Sequence, residues 1–128
     1  MSVDGEQLAR IGPGLLVLLG VHRDDGEPEA DRIVRKLLAL RVFDDAEGRM
    51  NRAVADVDGE LLCVSQFTLY GDSRRGNRPS WIEAAPPELA EALYERVRSG
   101  LGAQGGRFGA RMTVELVNEG PVTLLVEV

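Results

Sequence analysis

The feature that most constrains this chain is the unbroken apolar run Leu15-Leu16-Val17-Leu18-Leu19, entered through the turn residues Gly12-Pro13-Gly14. It is far shorter than the roughly 20 residues a membrane-spanning helix needs, yet too apolar to leave in water. The run reads as a buried strand, and the rest of the chain has to cover it. Two helical segments supply cover. Pro28 suits a first helical turn, with Glu29 and Asp31 favourable at the positive end of the helix dipole. Ile33, Leu37 and Leu40 then recur at helical spacing, giving a first helix over residues 28–40. Pro86-Pro87 opens a second helix, in which Leu89, Leu93 and Val97 are spaced by four.

The remaining segments read as strands and turns. Arg41-Val42-Phe43 is a strand closed by the acidic turn Asp44 to Gly48, and Asp58-Gly59 is a hairpin signal before a long strand from Glu60 to Tyr70. Gly105-Gly106 ends the loop after the second helix. Met112, Val114 and Leu116 then alternate with Thr113 and Glu115, and Val122 to Val128 forms a last strand after Asn118-Glu119-Gly120-Pro121. The expected architecture is one α+β domain over residues 1–128, a mainly antiparallel sheet or partly closed β-barrel flanked by two helices. A domain of 128 residues hides roughly two-thirds of the surface of its unfolded chain, so it needs no covalent staples.

Composition excludes several function classes. A lone cysteine, Cys63, makes no internal disulfide, and its run Leu61-Leu62-Cys63-Val64 marks it as a small buried hydrophobe. No leader with basic and apolar parts in signal-peptide order opens the chain, so a cytoplasmic location is expected, with no membrane partner. One histidine, His22, and one cysteine exclude the usual zinc sites. No G-x-S-x-G elbow, phosphate loop or dinucleotide fingerprint is present. No metal or cofactor is expected. The net charge of −6 argues against an indiscriminate nucleic-acid binder, and DNA is not an expected partner. A local patch is compatible with RNA: Arg74, Arg75 and Arg78 form the only dense basic cluster.

Two segments carry unusual chemistry. In Ser65-Gln66-Phe67-Thr68-Leu69-Tyr70-Gly71-Asp72, strand alternation places Gln66, Thr68 and Tyr70 on one face and Ser65, Phe67 and Leu69 on the other. Gln66 and Thr68 can then serve one pocket. On spacing alone, a strand-forming Thr and a solvent-facing Gln explain the pattern better. In Asn118-Glu119-Gly120-Pro121-Val122-Thr123, Gly-Pro is first of all a turn. X-Pro bonds adopt cis at modest cost and glycine permits close approach, so such a turn can also present bare carbonyl oxygens to a ligand.

Together these segments resemble the D-aminoacyl-tRNA deacylase family, also known as the D-tyrosyl-tRNA deacylases. The likeness runs through Val3-Asp4-Gly5-Glu6, Ile11 to Gly20, Met50-Asn51, Ser65 to Tyr70, Asn77-Arg78-Pro79-Ser80, Ala84 to Ala90, Arg107 to Ala110 and Asn118 to Leu124. The resemblance implies hydrolysis of the ester joining a D-amino acid, or mischarged glycine, to the terminal adenosine of tRNA. It implies a homodimer in which the Gly120-Pro121 turn, as a cis peptide, enters the partner's pocket. There its carbonyls leave no room for an L side chain. Backbone N–H groups near Gln66 and Phe67 would stabilise the oxyanion. Thr68 would be the nucleophile or, in the reading preferred here, the ribose 2′-hydroxyl would activate water, because nothing near Thr68 in sequence supplies a base. Ser65, Gly120, Pro121, Phe108 and Met112 would contact substrate, with core packing an equal reading for Phe108 and Met112. Arg74, Arg75 and Arg78 would contact tRNA phosphates, or form a solvated loop. The alternative function is a catalytically weakened RNA-binding or assembly dimer of the same fold.

The chain departs from the family pattern at Gly71, Trp81 and Arg111, where alanine, phenylalanine and an acidic residue are usual. Family members also carry an opening strand with an arginine before the Val-Asp-Gly-Glu segment. Met1-Ser2 stands where that strand would end, so an open sheet edge is expected.

Overall fold

The computed structural model describes residues 1–128. In chain order the elements are β1 (Ser2–Val3), β2 (Glu6–Gln7), β3 (Gly14–Leu19), α1 (Glu27–Ala39), β4 (Phe43–Asp44), β5 (Met50–Arg52), a 3-10 turn (Val54–Val57), β6 (Glu60–Ser65), a second 3-10 turn (Phe67–Tyr70), α2 (Pro87–Leu101) and β7 (Gln104–Gly105). The result is an α+β domain with two helices and three small sheets, none closed into a barrel.

The largest sheet, in the order β3-β6-β7, is parallel throughout. This corrects the expectation of a mainly antiparallel sheet. The apolar run of β3 pairs with β6 from Gly14 opposite Glu60 to Leu19 opposite Ser65. The two parallel connections carry α1 and α2, which lie together on one face. Alternation divides the strands between two clusters. Val17, Leu19, Leu61 and Cys63 join Ile33, Leu37, Leu93, Tyr94 and Val97 beneath the helices. Leu16, Leu62 and Val64 meet Ala9, Ile11 and Met112 on the other face. That second face is incompletely covered, and Leu18 is 44% exposed.

The helices form where the sequence indicates. The Glu29 carboxylate accepts from the Gly26 N–H at 2.8 Å, satisfying one of the free donors at the start of α1. Gly102, left-handed at φ 63°, ends α2. Arg96 of α2 donates to both carboxylate oxygens of Asp31 of α1, at 2.8 and 3.0 Å. At one buried position a single hydroxyl ties three elements. Tyr94 Oη donates to the Cys63 carbonyl at 2.7 Å and accepts from the Gly106 N–H at 3.1 Å, fixing β6 against the segment leaving β7.

Four further expectations are corrected. Asp58-Gly59 forms no hairpin. Asp58, left-handed at φ 53°, caps the Val54–Val57 turn, and the chain then enters a parallel strand. The antiparallel hairpin lies nearer the N-terminus, where β4 pairs β5 around the acidic turn. The long strand stops at Ser65, because Gln66 leaves extended geometry at ψ 78° and the next four residues coil. Gly105 does not merely end a loop, since it pairs with Cys63 as part of β7. Finally, Met112–Val128 builds no ladder. Its one bridge joins Thr113 to Ser2 through two 2.9 Å bonds. Strand-like sequence becomes sheet only beside a partner with free backbone groups, and this segment meets none beyond Ser2. Instead it borders a cavity of about 1250 Å³ whose opposite wall includes β3. No helix is long and apolar enough to cross a membrane.

Candidate active site

The site is assembled where β3 and β6 end. Leu19 closes β3, and its carbonyl accepts from the Gln66 N–H at 2.7 Å just past the end of β6. This bond is the last of the parallel ladder, and beyond it the chain leaves the sheet. Leu69 N–H then donates to Gln66 O and Gly71 N–H to Thr68 O, at 3.2 and 3.0 Å, closing a one-turn coil over Phe67–Tyr70. The division into a Gln66/Thr68/Tyr70 face and a Ser65/Phe67/Leu69 face therefore fails, because alternation stops with the strand. Contact between Gln66 and Thr68 survives by another route, with the Gln66 side-chain amide donating to the Thr68 hydroxyl.

That geometry has chemical consequences. The Gln66 N–H is committed to Leu19, whereas the N–H groups of Phe67 and Thr68 donate to no acceptor within the chain. Adjacent backbone donors at an exposed turn can hold a developing negative charge. The Thr68 hydroxyl faces an amide donor, which cannot take its proton. Phe67 and Thr68 are exposed, and Ser65 and Gln66 half-buried. Nearby, the His22 and Tyr70 rings meet edge to face at 5.3 Å, and Phe67 meets Trp81 in the same manner at 5.0 Å.

The basic segment is a loop pinned at its base. Asp72 and Ser80 exchange two backbone bonds of 2.8 Å. Arg74 folds back on Asp72, its side chain donating at 2.9 and 2.7 Å and its N–H at 3.0 Å. The Arg74 guanidinium holds the Asp72 carboxyl well below the usual carboxylate range, at about 2. Arg75 and Arg78 are exposed and pair with no carboxylate.

The second segment also has a defined shape. Gly120-Pro121 is a cis peptide, and Gly120 sits at φ 117°, where side chains are rarely tolerated. Asn118 braces the turn, its Oδ1 accepting from the Val122 N–H at 3.1 Å and its Nδ2 donating to the Thr123 hydroxyl at 3.0 Å. The carbonyl oxygens of Gly120 and Pro121 accept no bond within the chain, and both residues are exposed.

The sequence-derived residues do not all meet. Gly120 and Pro121 share a cavity with Leu69 and Tyr70, but Ser65, Gln66, Phe67 and Thr68 do not line it. Phe108 packs against the main core near Tyr94, and Met112 against the smaller cluster, so both are held by packing. Two residues were missed as site parts. Trp81 stood out in the sequence only as a departure from a pattern, and Asn118 only as a turn former.

The family model described as D-Tyr-tRNA(Tyr) deacylase matches residues 1–127. A protein named D-aminoacyl-tRNA deacylase from Anaeromyxobacter dehalogenans (strain 2CP-C) is 57% identical, covering 99% of this chain and 89% of its own length. One of the same name from Symbiobacterium thermophilum is 54% identical, covering 99% of this chain and 87% of its own length. Among solved structures, one titled c-Myc DNA Unwinding Element Binding Protein superposes with a TM-score of 0.87 at 43% identity, covering 96% of this chain and 87% of that one. A second, titled as a probable eukaryotic D-amino acid tRNA deacylase, gives 0.70 at 19% identity, covering 86% and 83%, and shares the fold. With nearly its whole length matched and more than half its residues identical to those of named relatives, the chain belongs to the D-Tyr-tRNA(Tyr) deacylase family.

Proposed function

We propose that this protein hydrolyses the ester between a D-amino acid, or mischarged glycine, and the terminal adenosine of tRNA, a chiral proofreading step in translation. Water adds its hydroxyl to the carbonyl carbon and its proton to the leaving ribose oxygen, releasing free amino acid and free tRNA. The observation that carries this reading is the pair of unengaged N–H groups at Phe67 and Thr68, beside a hydroxyl with an amide for its neighbour. These donors suit the tetrahedral oxyanion, and removing one such donor from an enzyme typically costs about 10²–10³ in kcat. Gln66 contributes by holding Thr68 and closing the turn, with its own N–H already spent on Leu19.

Because the Thr68 hydroxyl has a donor rather than a base as its partner, Thr68 is a poor nucleophile. Activation of water by the ribose 2′-hydroxyl accounts better for the chemistry and makes RNA, not DNA, the substrate. Ser65 lines the approach, and Arg74, Arg75 and Arg78 meet tRNA phosphates, Arg75 and Arg78 most directly. The reaction belongs in the cytoplasm, where charged tRNA is consumed.

Chirality is judged by the Gly120 and Pro121 carbonyls, delivered from a second copy in a homodimer. Three features support delivery in trans. Within one chain the turn is not grouped with Gln66–Thr68 around its cavity. Its carbonyls are unsatisfied. Its flanks expose Leu116, Val117, Leu124 and Leu125 by 58% or more, apolar surface that association would cover. The same flanks favour the alternative of a catalytically weakened RNA-binding or assembly dimer. Incubation with D-tyrosyl-tRNA and L-tyrosyl-tRNA decides. Hydrolysis of the D ester alone is expected, equal hydrolysis of both overturns the reading, and tight tRNA binding without hydrolysis selects the alternative.

A further inference from the structure

We infer that Trp81 and Phe67, with Arg75 and Arg78 on the loop leading into Trp81, form a stacking shelf for a base of the single-stranded RNA end that carries the ester. The inference rests on the deacylase reading for the identity of that RNA.

The shelf is an uncommon surface. Trp81, the chain's only tryptophan, is 41% exposed, and Phe67, against whose ring it packs at 5.0 Å and 62°, is 54% exposed. Ile82 beside them is 70% exposed. Large rings left in water forgo the stabilisation that burial would bring. Here the chain makes room for the exposed ring. Gly71 has an ordinary backbone, φ −69° and ψ 125°, which any residue adopts. What it lacks is space: a Cβ there would lie 2.5 Å from Cζ3 and 3.1 Å from Cη2 of the Trp81 indole. Glycine at 71 therefore serves the indole, which is pressed against the main chain at the end of the site turn. From the other side, Arg23 holds the following residues, its guanidinium donating to Ile82 O at 3.3 Å and its N–H to Glu83 O at 2.9 Å.

Charge identifies the occupant. The loop pinned by Asp72 and Ser80 leads directly into Trp81. Arg74 is neutralised by Asp72, which leaves Arg75 and Arg78 as cations without carboxylate partners. On a chain of net charge −6, two unpaired arginines on the loop that leads into two open aromatic rings suit an anion attached to a flat ring. A nucleotide of an unpaired strand has that chemistry. Its base stacks on the aromatic rings, its phosphate meets arginine, and a base within a duplex is not available to do so. The shelf adjoins the Phe67 and Thr68 donors, so the stacked base is a neighbour of the reacting nucleotide rather than the reacting nucleotide itself.

The lone tryptophan reports on the test. Wild-type protein is titrated with a four-nucleotide single-stranded RNA ending in adenosine, following indole emission. Saturable quenching that weakens with salt and with Arg75→Ala or Arg78→Ala is expected. Emission that stays flat at RNA concentrations several-fold above the KM for charged tRNA overturns the shelf. Kinetics provide the second arm, comparing D-tyrosyl-tRNA with D-tyrosyl-adenosine, which has no further nucleotide. For Trp81→Ala, the loss in kcat/KM on the tRNA exceeds the loss on the nucleoside by about tenfold and lies in KM, with Trp81→Phe recovering most of it. Equal losses on both substrates mean that Trp81 only props Phe67, and overturn the shelf. If the wild type hydrolyses neither ester while the oligonucleotide still quenches, the deacylase reading fails and the RNA shelf stands.

Discussion

Replacing Gly71 with alanine tests whether the glycine exists for the indole. At an ordinary φ of −69° such a change normally stabilises a protein by about 0.4–1 kcal/mol, because the unfolded chain loses freedom. Here the added methyl would lie 2.5 Å from Trp81 Cζ3 and 3.0 Å from the Thr68 carbonyl oxygen. Carbon atoms prefer a separation of about 3.5–4.0 Å, so the indole must retreat by about 1 Å. Overpacking of this kind costs about 1–3 kcal/mol, which outweighs the entropic gain. A net loss of about 1–2 kcal/mol is expected in urea unfolding followed by far-UV circular dichroism, together with a shift in indole emission. Trp81→Phe removes the ring that carries Cζ3 and Cη2, so in that background Gly71→Ala should lose most of its cost, keeping only what the 3.0 Å approach to the Thr68 carbonyl imposes. Coupling of about 1–2 kcal/mol between the two positions follows. An equal cost in both backgrounds, or a stabilised Gly71→Ala protein with unchanged emission, refutes the reasoning. On this account the glycine and the tryptophan act as one pair, the missing methyl making room for the indole.

Other outcomes follow from the same geometry. Gly120→Ala places a Cβ 2.7 Å from Val122 Cγ2 at φ 117°, so the turn must shift at some cost to the urea midpoint, and discrimination between D- and L-tyrosyl-tRNA should fall while the protein stays folded; a lost fold, or a folded protein with intact discrimination, contradicts this. Burial pushes the Cys63 thiol up to about 12, and a thiol reagent at pH 8 should label it only in unfolded molecules, at a rate that rises with urea. The Asp72 carboxyl, held at about 2 by Arg74, keeps its clamp above the ordinary Asp range and loses it as pH falls through about 2. A carbon-13 NMR titration of Asp72 should therefore show no midpoint near 3.8, and Arg74→Ala should move the midpoint up towards that value but short of it, because the residue-74 N–H still donates to the carboxylate.

What the sequence made legible was local. The first helix, expected over 28–40, runs from Glu27 to Ala39, and the apolar run became β3, because proline placement and helical spacing act within a few residues. Strand direction is different in kind. β3 and β6 each read as apolar from their own residues, but whether they run parallel depends on a connection containing a helix and a hairpin. Asp58-Gly59 carried a sound hairpin signal that was used to cap a 3-10 turn instead. Phe67-Thr68-Leu69-Tyr70 has strand-forming composition, yet coils where the ladder runs out, because its pairing partner β3, remote in sequence, ends at Leu19. The site residues were legible as motifs through family resemblance. Which of their N–H groups is free, and that Trp81 lies against Phe67, depends on contacts between distant segments.

The shared direction of β3, β6 and β7 has a consequence for how this molecule can diversify. All three strands release the chain at one rim of the sheet, so the segments 20–26, 66–86 and 106–111 all start from that edge. Cys63, Tyr94 and Val97, each no more than 2% exposed, lock the interior behind it. Loops attached at one rim can be exchanged or lengthened without repacking that interior. Grafting a relative's 72–80 loop onto this scaffold should alter which nucleic acids it grips while leaving its melting behaviour almost untouched.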